Sequence, residues 1–332
     1  MLWLCISLAL FFDLLNGYND SGALTATVIS SHALSPRTAL RLTAIGEFLG
    51  PFLFGVAVAN TIGQGLLATE SLSLMVLLTA LIAAISWGLL TGLLGLPSSS
   101  SHALIGGLIG AALMATANPS VIQIHGLLKV LFSLFVSPLA GFITGFFLTR
   151  IIYFLASGAS PRVNSLFRFL QVITLFGMSL AHGANDAQKS MGVITLALVL
   201  SGVLTTFQVP LWVILACASA IALGSAIGGW RNIRTLGGRV YRVRPIHGVA
   251  SQLSSASVIA LAVWLGGPVS TTHVISSSVI GAGAAERLGK VRWQVGQEML
   301  TAWLFTLPAT ASFSALLYWL LQFTLSSILI QR

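Results

Sequence analysis

Runs of about 20 apolar residues, the length that carries a helix across a bilayer, recur from one end of this chain to the other. They cover residues 2–15, 38–59, 71–95, 101–117, 127–149, 167–202, 209–228, 248–266, 272–285 and 294–322. A water-facing surface needs about 25% charged residues, and this 332-residue chain has 7%. The pattern predicts an all-α, polytopic membrane protein of about 10–12 helical segments with no soluble domain. Several runs are interrupted by Gly, Pro or polar clusters, and the 167–202 run is long enough for two crossings or one broken one. The first run lacks a basic leader, carries Asp13 and precedes no A-x-A site, so it reads as structure rather than a signal peptide. Cys5 and Cys217 both sit in apolar stretches, which excludes a disulfide scaffold.

The net charge of +9 invites a nucleic-acid partner, but the basic residues cluster at run ends, which points to membrane orientation and no nucleic acid. If consecutive runs cross alternately, thirteen of the 16 Lys and Arg fall on one side: Arg37, Arg41, Arg150, Arg162, Arg168, Arg231, Arg234, Arg239, Arg242, Arg244, Arg287, Lys290 and Arg292. Lys129 and Arg332 fall on the other side, and Lys189 lies inside a run. The positive-inside rule then predicts a plasma-membrane protein with both termini outside. Trp87, Trp230 and Trp293, near run ends, read as interfacial anchors.

Two pairs of segments match across the halves. Asn16-Gly17-Tyr18-Asn19-Asp20 aligns with His182-Gly183-Ala184-Asn185-Asp186, and Pro97-Ser98-Ser99-Ser100-Ser101-His102 aligns with Pro268-Val269-Ser270-Thr271-Thr272-His273. The order is the same in both halves. Five passages precede the second copy, so a single membrane domain (1–332) is expected to contain two repeats of opposite orientation, 1–155 and 167–325. Inverted repeats with polar, interrupted segments at matching positions mark secondary transporters, whose helices are broken or re-entrant there.

Asp20 and Asp186 are two of seven carboxylates in the chain. An aspartate at membrane depth costs roughly 2.5–3.5 kcal/mol on insertion scales, which makes it a functional candidate. Gly17 and Gly183 are expected to let the helices unwind, so that Asn19, Asp20, Asn185 and Asp186 ligate an ion. The Pro-Ser/Thr segments read as helix starts. Their free N–H groups, with Ser99, Ser100 and Ser101 or Ser270, Thr271 and Thr272, make an anion cradle. Gln188 and Lys189 follow Asp186 without polar counterparts in the first copy, where Gly22 and Ala23 stand. Lys189 is expected to pair with Asp186 or to help hold an anion. Glu47, with no clear partner in the second half, is a further ion or proton candidate. His102, His182 and His273 read as hydrogen-bonded structural histidines, with proton relay as the alternative.

The Asn16–Asp20 motif and His182-Gly-Ala-Asn-Asp-Ala-Gln-Lys-Ser-Met-Gly192 resemble the paired signatures of PiT-type inorganic phosphate transporters. Pro268–His273 and Gly228-Gly-Trp-Arg231 are similar to that family as well, and the resemblance covers nearly the whole chain. It implies an inverted-repeat transporter that holds phosphate centrally and couples it to Na⁺ or H⁺, with no other cofactor. The Na⁺ would lie at Asn19, Asp20, Asn185 and Asp186. Members of that family often carry Ala-Asn where this chain has Gly22 and Ala23, which leaves the coupling ion open between Na⁺ and H⁺. The expected partners are phosphate and membrane lipid, and a homodimer is compatible with them. Hydrogen phosphate can donate an O–H to a carboxylate and sulfate cannot, so two retained aspartates favour phosphate over a sulfate permease of the same fold. A membrane-embedded enzyme lacks a motif such as H-E-x-x-H or G-x-S-x-G, and an anion channel would need repeated pore rings.

Overall fold

The computed structural model describes residues 1–69, 72–94, 98–228, 244–291 and 293–330. They fold into eleven α-helices: α1 Leu2–Ser30, α2 Pro36–Phe54, α3 Ala57–Asn60, α4 Leu74–Leu94, α5 Ser100–Thr116, α6 Ile124–Leu155, α7 Val163–Leu200, α8 Leu211–Ile227, α9 Pro245–Trp264, α10 Thr271–Glu286 and α11 Trp293–Ile330. Pro97, Trp230, Arg292, Arg332 and the arginines at Arg231, Arg234, Arg239 and Arg242 lie outside the described residues.

Local sequence sets several boundaries. Ser35 caps α2 by accepting from the Thr38 N–H, and Pro36 occupies the first turn, where its missing N–H costs nothing. Gly55 ends α2 at φ 73°, a left-handed conformation that glycine adopts without a Cβ penalty. The chain turns there by 72° into α3 and a π turn at Thr61–Gly65. The helix is thus bent at a break, where the run 38–59 reads as a single segment.

Among the described residues six helices are long and apolar enough to cross a membrane, and the bent α2–α3 pair would make a seventh. The protein is a multi-pass membrane protein. By contrast α5, α8 and α10 have 17, 17 and 16 residues, and α5 and α10 are the two short helices that begin on the hydroxyl-rich segments. At 1.5 Å per residue they reach only about 25 Å, short of the roughly 30 Å hydrocarbon core.

The distribution of apolar surface separates outside from inside. Helix α6 exposes Phe132, Phe135, Leu139 and Phe147, as a lipid-facing helix must. In α7 every residue from 181 to 198 is buried, so this half of the helix is enclosed by protein. Around it, α2 and α9 pack on α7, and α8 packs on α1. The two short helices exchange partners: α10 lies along α6, and α5 lies along α11.

The expected unwinding at Gly17 and Gly183 does not occur. Helices α1 and α7 run unbroken through both signatures. The glycines serve close approach instead. A Cβ on Gly17 would stand 2.1 Å from the Ile221 carbonyl oxygen, and one on Gly183 would stand 2.3 Å from that of Glu47. Backbone atoms cannot rotate away as a side-chain end can. Gly183→Ala is therefore expected to push α2 off α7 and to destabilise the fold by about 1–3 kcal/mol. A thermal-unfolding scan of the purified variant measures this; an unchanged midpoint would contradict so close a contact.

Candidate substrate site

The two short helices begin on the hydroxyl-rich segments. At α5, Ser99 is the N-cap: its Oγ accepts from the His102 N–H at 3.2 Å and lies 2.7 Å from His102 Nδ1. Ser99 is thus engaged in capping. At α10 the N-cap Ser270 makes no side-chain cap bond, and its buried Oγ has no hydrogen-bond partner. The tips touch each other, because Ser101 Oγ donates to the Val269 carbonyl at 2.7 Å. The His102 and His273 rings lie 5.0 Å apart.

Asn185 fixes this junction to α7. Its amide donates to the Val269 carbonyl at 3.1 Å and accepts the Val269 N–H at 3.2 Å, as a paired strand would. The same Nδ2 donates to Asp186 Oδ1 at 2.7 Å. One amide thus holds the α10 tip and orients the neighbouring carboxylate.

Each aspartate meets a hydroxyl of the α10 tip. Thr272 Oγ1 donates to Asp20 Oδ1 at 2.8 Å, and Thr271 Oγ1 to Asp186 Oδ1 at 3.3 Å. Asp186 Oδ2 lies 2.9 Å from Lys189 Nζ, one turn further along α7. That ammonium donates to Ser100 Oγ at 3.0 Å and Ser101 Oγ at 3.1 Å, so Lys189 joins α7 to the α5 tip. Of its two expected roles, pairing with Asp186 is the one seen, and the serines place it in the cradle as well.

His182, read from the sequence as a hydrogen-bonded structural histidine or a proton relay and not as a site residue, is the hub. Its Nδ1 lies 2.8 Å from Glu47 Oε1, and its Nε2 lies 3.5 Å from Asp20 Oδ2 and 3.8 Å from Asp186 Oδ2. Glu47 therefore does have a partner in the second half. Ligand atoms of Asp20, His182 and Asp186 all lie within 4.8 Å of one another. The available signal was the i, i+4 spacing of His182 and Asp186, which puts both on one helical face. Asp13 was also missed. It is fully buried on α1 seven residues before Asp20, and its Oδ1 accepts from Ser190 Oγ at 2.6 Å.

Two expected residues point elsewhere. Asn19 Oδ1 faces Gly92 of α4, where an added Cβ would lie 3.1 Å away. Gln188 Oε1 accepts the N–H groups of Val58 at 2.8 Å and Ala59 at 3.3 Å, fastening the start of α3 to α7. Three carboxylates (Asp20, Glu47 and Asp186) thus gather around one lysine and one histidine, with Asp13 bonded to Ser190, the residue after Lys189, and all are at most 7% exposed. Buried charge persists only when paired. A cluster with more acidic than basic groups calls for an added cation or proton. The adjoining helix starts, with their hydroxyls and dipoles, call for an anion.

Residues 16–314 match the phosphate transporter family. The chain belongs to that family. This family member is 42% identical, over 94% of each chain, to a probable low-affinity inorganic phosphate transporter of Rhizobium meliloti (strain 1021). It is 41% identical, over 96% of each chain, to a probable low-affinity inorganic phosphate transporter of Bacillus subtilis (strain 168). A solved structure described as the sodium-dependent phosphate transporter superposes with a TM-score of 0.86, covering 97% of this chain and 99% of the other at 24% identity. At that identity the likeness shows the fold alone. These relatives are described as transporters, so the family member is not an enzyme, and the sulfate alternative has no support among them.

Proposed function

We propose that the protein imports inorganic phosphate by symport with a cation, Na⁺ or H⁺, through alternating access around the Asp20–Asp186 cluster. The observation that carries this reading is the meeting of four distant stretches at one buried place. Thr272 reaches Asp20, Thr271 reaches Asp186, and Lys189 reaches Ser100 and Ser101. The phosphate name of the relatives supports the substrate, and the sodium-dependent neighbour of the same fold supports cation coupling. The two repeats would rock about the tips, with the basic loops cytoplasmic.

The geometry supplies a reason for coupling. Lys189 serves both Asp186 and the α5 tip. A phosphate arriving at the tip takes donors from Lys189, Ser100, Ser101 and the helix N–H groups. It thereby weakens the counter-charge on Asp186. That carboxylate then favours a cation or a proton more strongly than before. Anion and cation each improve the site for the other, which is reciprocal linkage. Asp20, held by Thr272 and facing His182 rather than a lysine among the described residues, stays available to the coupling ion or to the O–H of hydrogen phosphate.

Labelled phosphate uptake into proteoliposomes under an imposed Na⁺ or pH gradient tests this. One of the two gradients is expected to drive saturable accumulation, with arsenate competing and sulfate failing to compete at tenfold excess, roughly the least discrimination that a lost hydrogen bond to a buried acceptor provides. Accumulation that ignores both gradients would defeat symport, and equal competition by sulfate would defeat the substrate assignment.

A further inference from the structure

On the lipid side of the two tips lies a cavity of about 440 Å³. Its walls come from α5, α6, α10 and α11. Its rim includes Phe135, Leu139, Leu300 and Leu304, which are all exposed on helices of membrane-crossing length. Exposed apolar side chains on such helices suit a hydrocarbon medium. The inner end is different, because His102, His273 and Trp303 line it. The His273 and Trp303 rings are stacked at 3.9 Å. His273 is 1% exposed, and its Nε2 has no hydrogen-bond partner; neither does the buried Nε1 of Trp303. In a bilayer core no water is present to satisfy such groups, so each needs a protein or ligand partner. An indole N–H can only donate.

We infer that this cavity is a binding site for a single-chain amphiphile with a carboxyl head, a fatty acid. Its hydrocarbon tail lies against Phe135 and Leu304, and its carboxyl oxygens pair with Trp303 Nε1 and His273 Nε2. The volume suits one drug-sized molecule. The site adjoins the first turn of both tips, since His102 follows Ser101 and His273 follows Thr272. An occupant would therefore brace the tips against movement. That consequence rests on the transport reading, whereas occupancy does not.

The test uses the purified full chain and a palmitic acid carrying a diazirine, with cross-linked peptides mapped by mass spectrometry. Labelling is expected on residues 134–142 and 296–304, and unlabelled palmitate is expected to compete it away. A Cβ on Gly296 meets only Ile280 Cδ1, at 3.9 Å, so the cavity wall is open there. Gly296→Leu should fill the cavity and reduce labelling roughly tenfold. Trp303→Phe keeps the ring and removes the donor, with an expected loss of about fivefold. Labelling that is non-saturable, or unchanged in both variants, overturns the proposal. So does a cross-link between two copies of the chain through the same residues. If Gly296→Leu fails to fold, as a thermal scan would show, competition and Trp303→Phe decide.

Discussion

Asp186→Asn will take phosphate uptake to the background of protein-free vesicles. Truncating one member of a buried, hydrogen-bonded charge pair costs about 2–5 kcal/mol of binding, which makes a loss of roughly 30- to 4,000-fold the expected scale. The variant will also be less stable. Lys189 is fully buried and loses the carboxylate 2.9 Å from its ammonium, and breaking such a pair destabilises by about 3–5 kcal/mol. The two effects can be separated. The double variant Asp186→Asn with Lys189→Gln removes both charges and should regain most of the unfolding temperature while remaining unable to transport. Uptake that returned together with stability would show that the pair only holds the fold and that the proposed coupling is wrong.

Asp20→Asn is expected to abolish gradient-driven uptake on a similar scale of about 100-fold, but with an unfolding temperature close to that of the wild type. The difference lies in the neighbours. Asp20 faces no lysine among the described residues, its contact with His182 Nε2 at 3.5 Å is longer than the 2.9 Å Asp186–Lys189 pair, and an amide oxygen at the same place still accepts the Thr272 hydroxyl, now 2.8 Å from Asp20 Oδ1. The substitution removes charge and keeps geometry. Thr272→Ser should retain uptake because it keeps the donor, whereas Thr272→Val should lose it in part. Near-normal coupled uptake by Asp20→Asn, measured in proteoliposomes at equal protein content, would remove Asp20 from the coupling-ion site.

The apolar runs made the membrane class legible, because hydrocarbon tolerates little else along a helix. The internal matches located Asp20, Asp186 and both hydroxyl tips. What sequence left out was which way each side chain turns and what each glycine is for. A glycine in a polar motif can free the backbone or admit a neighbouring helix. Only the 2.1 and 2.3 Å clearances at Gly17 and Gly183 show that admission is the role here. Asn19 adjoins Asp20 in sequence, yet successive helical residues point about 100° apart, and Asn19 turns toward Gly92. For the same reason Gln188 faces α3 while Lys189 faces α5. His182 looked structural because nothing in sequence reveals that Glu47, 135 positions earlier, is 2.8 Å away. The 72° bend after α2 was hidden because the run 38–59 stays apolar straight through Gly55.

The exchange in which α10 rests on α6 and α5 on α11 gives the molecule the character of a seesaw. Each short helix is seated on a long one from the opposite half, so displacing either long helix drags along a tip that belongs to the other. The tips in turn are pinned together through Ser101 and the Val269 carbonyl. Withdrawing one from the cluster pulls on its mate, and a passage free on both ends at once would require this joint to part. On the proposed symport reading, a mechanical interlock of that kind would keep ions from running through unaccompanied.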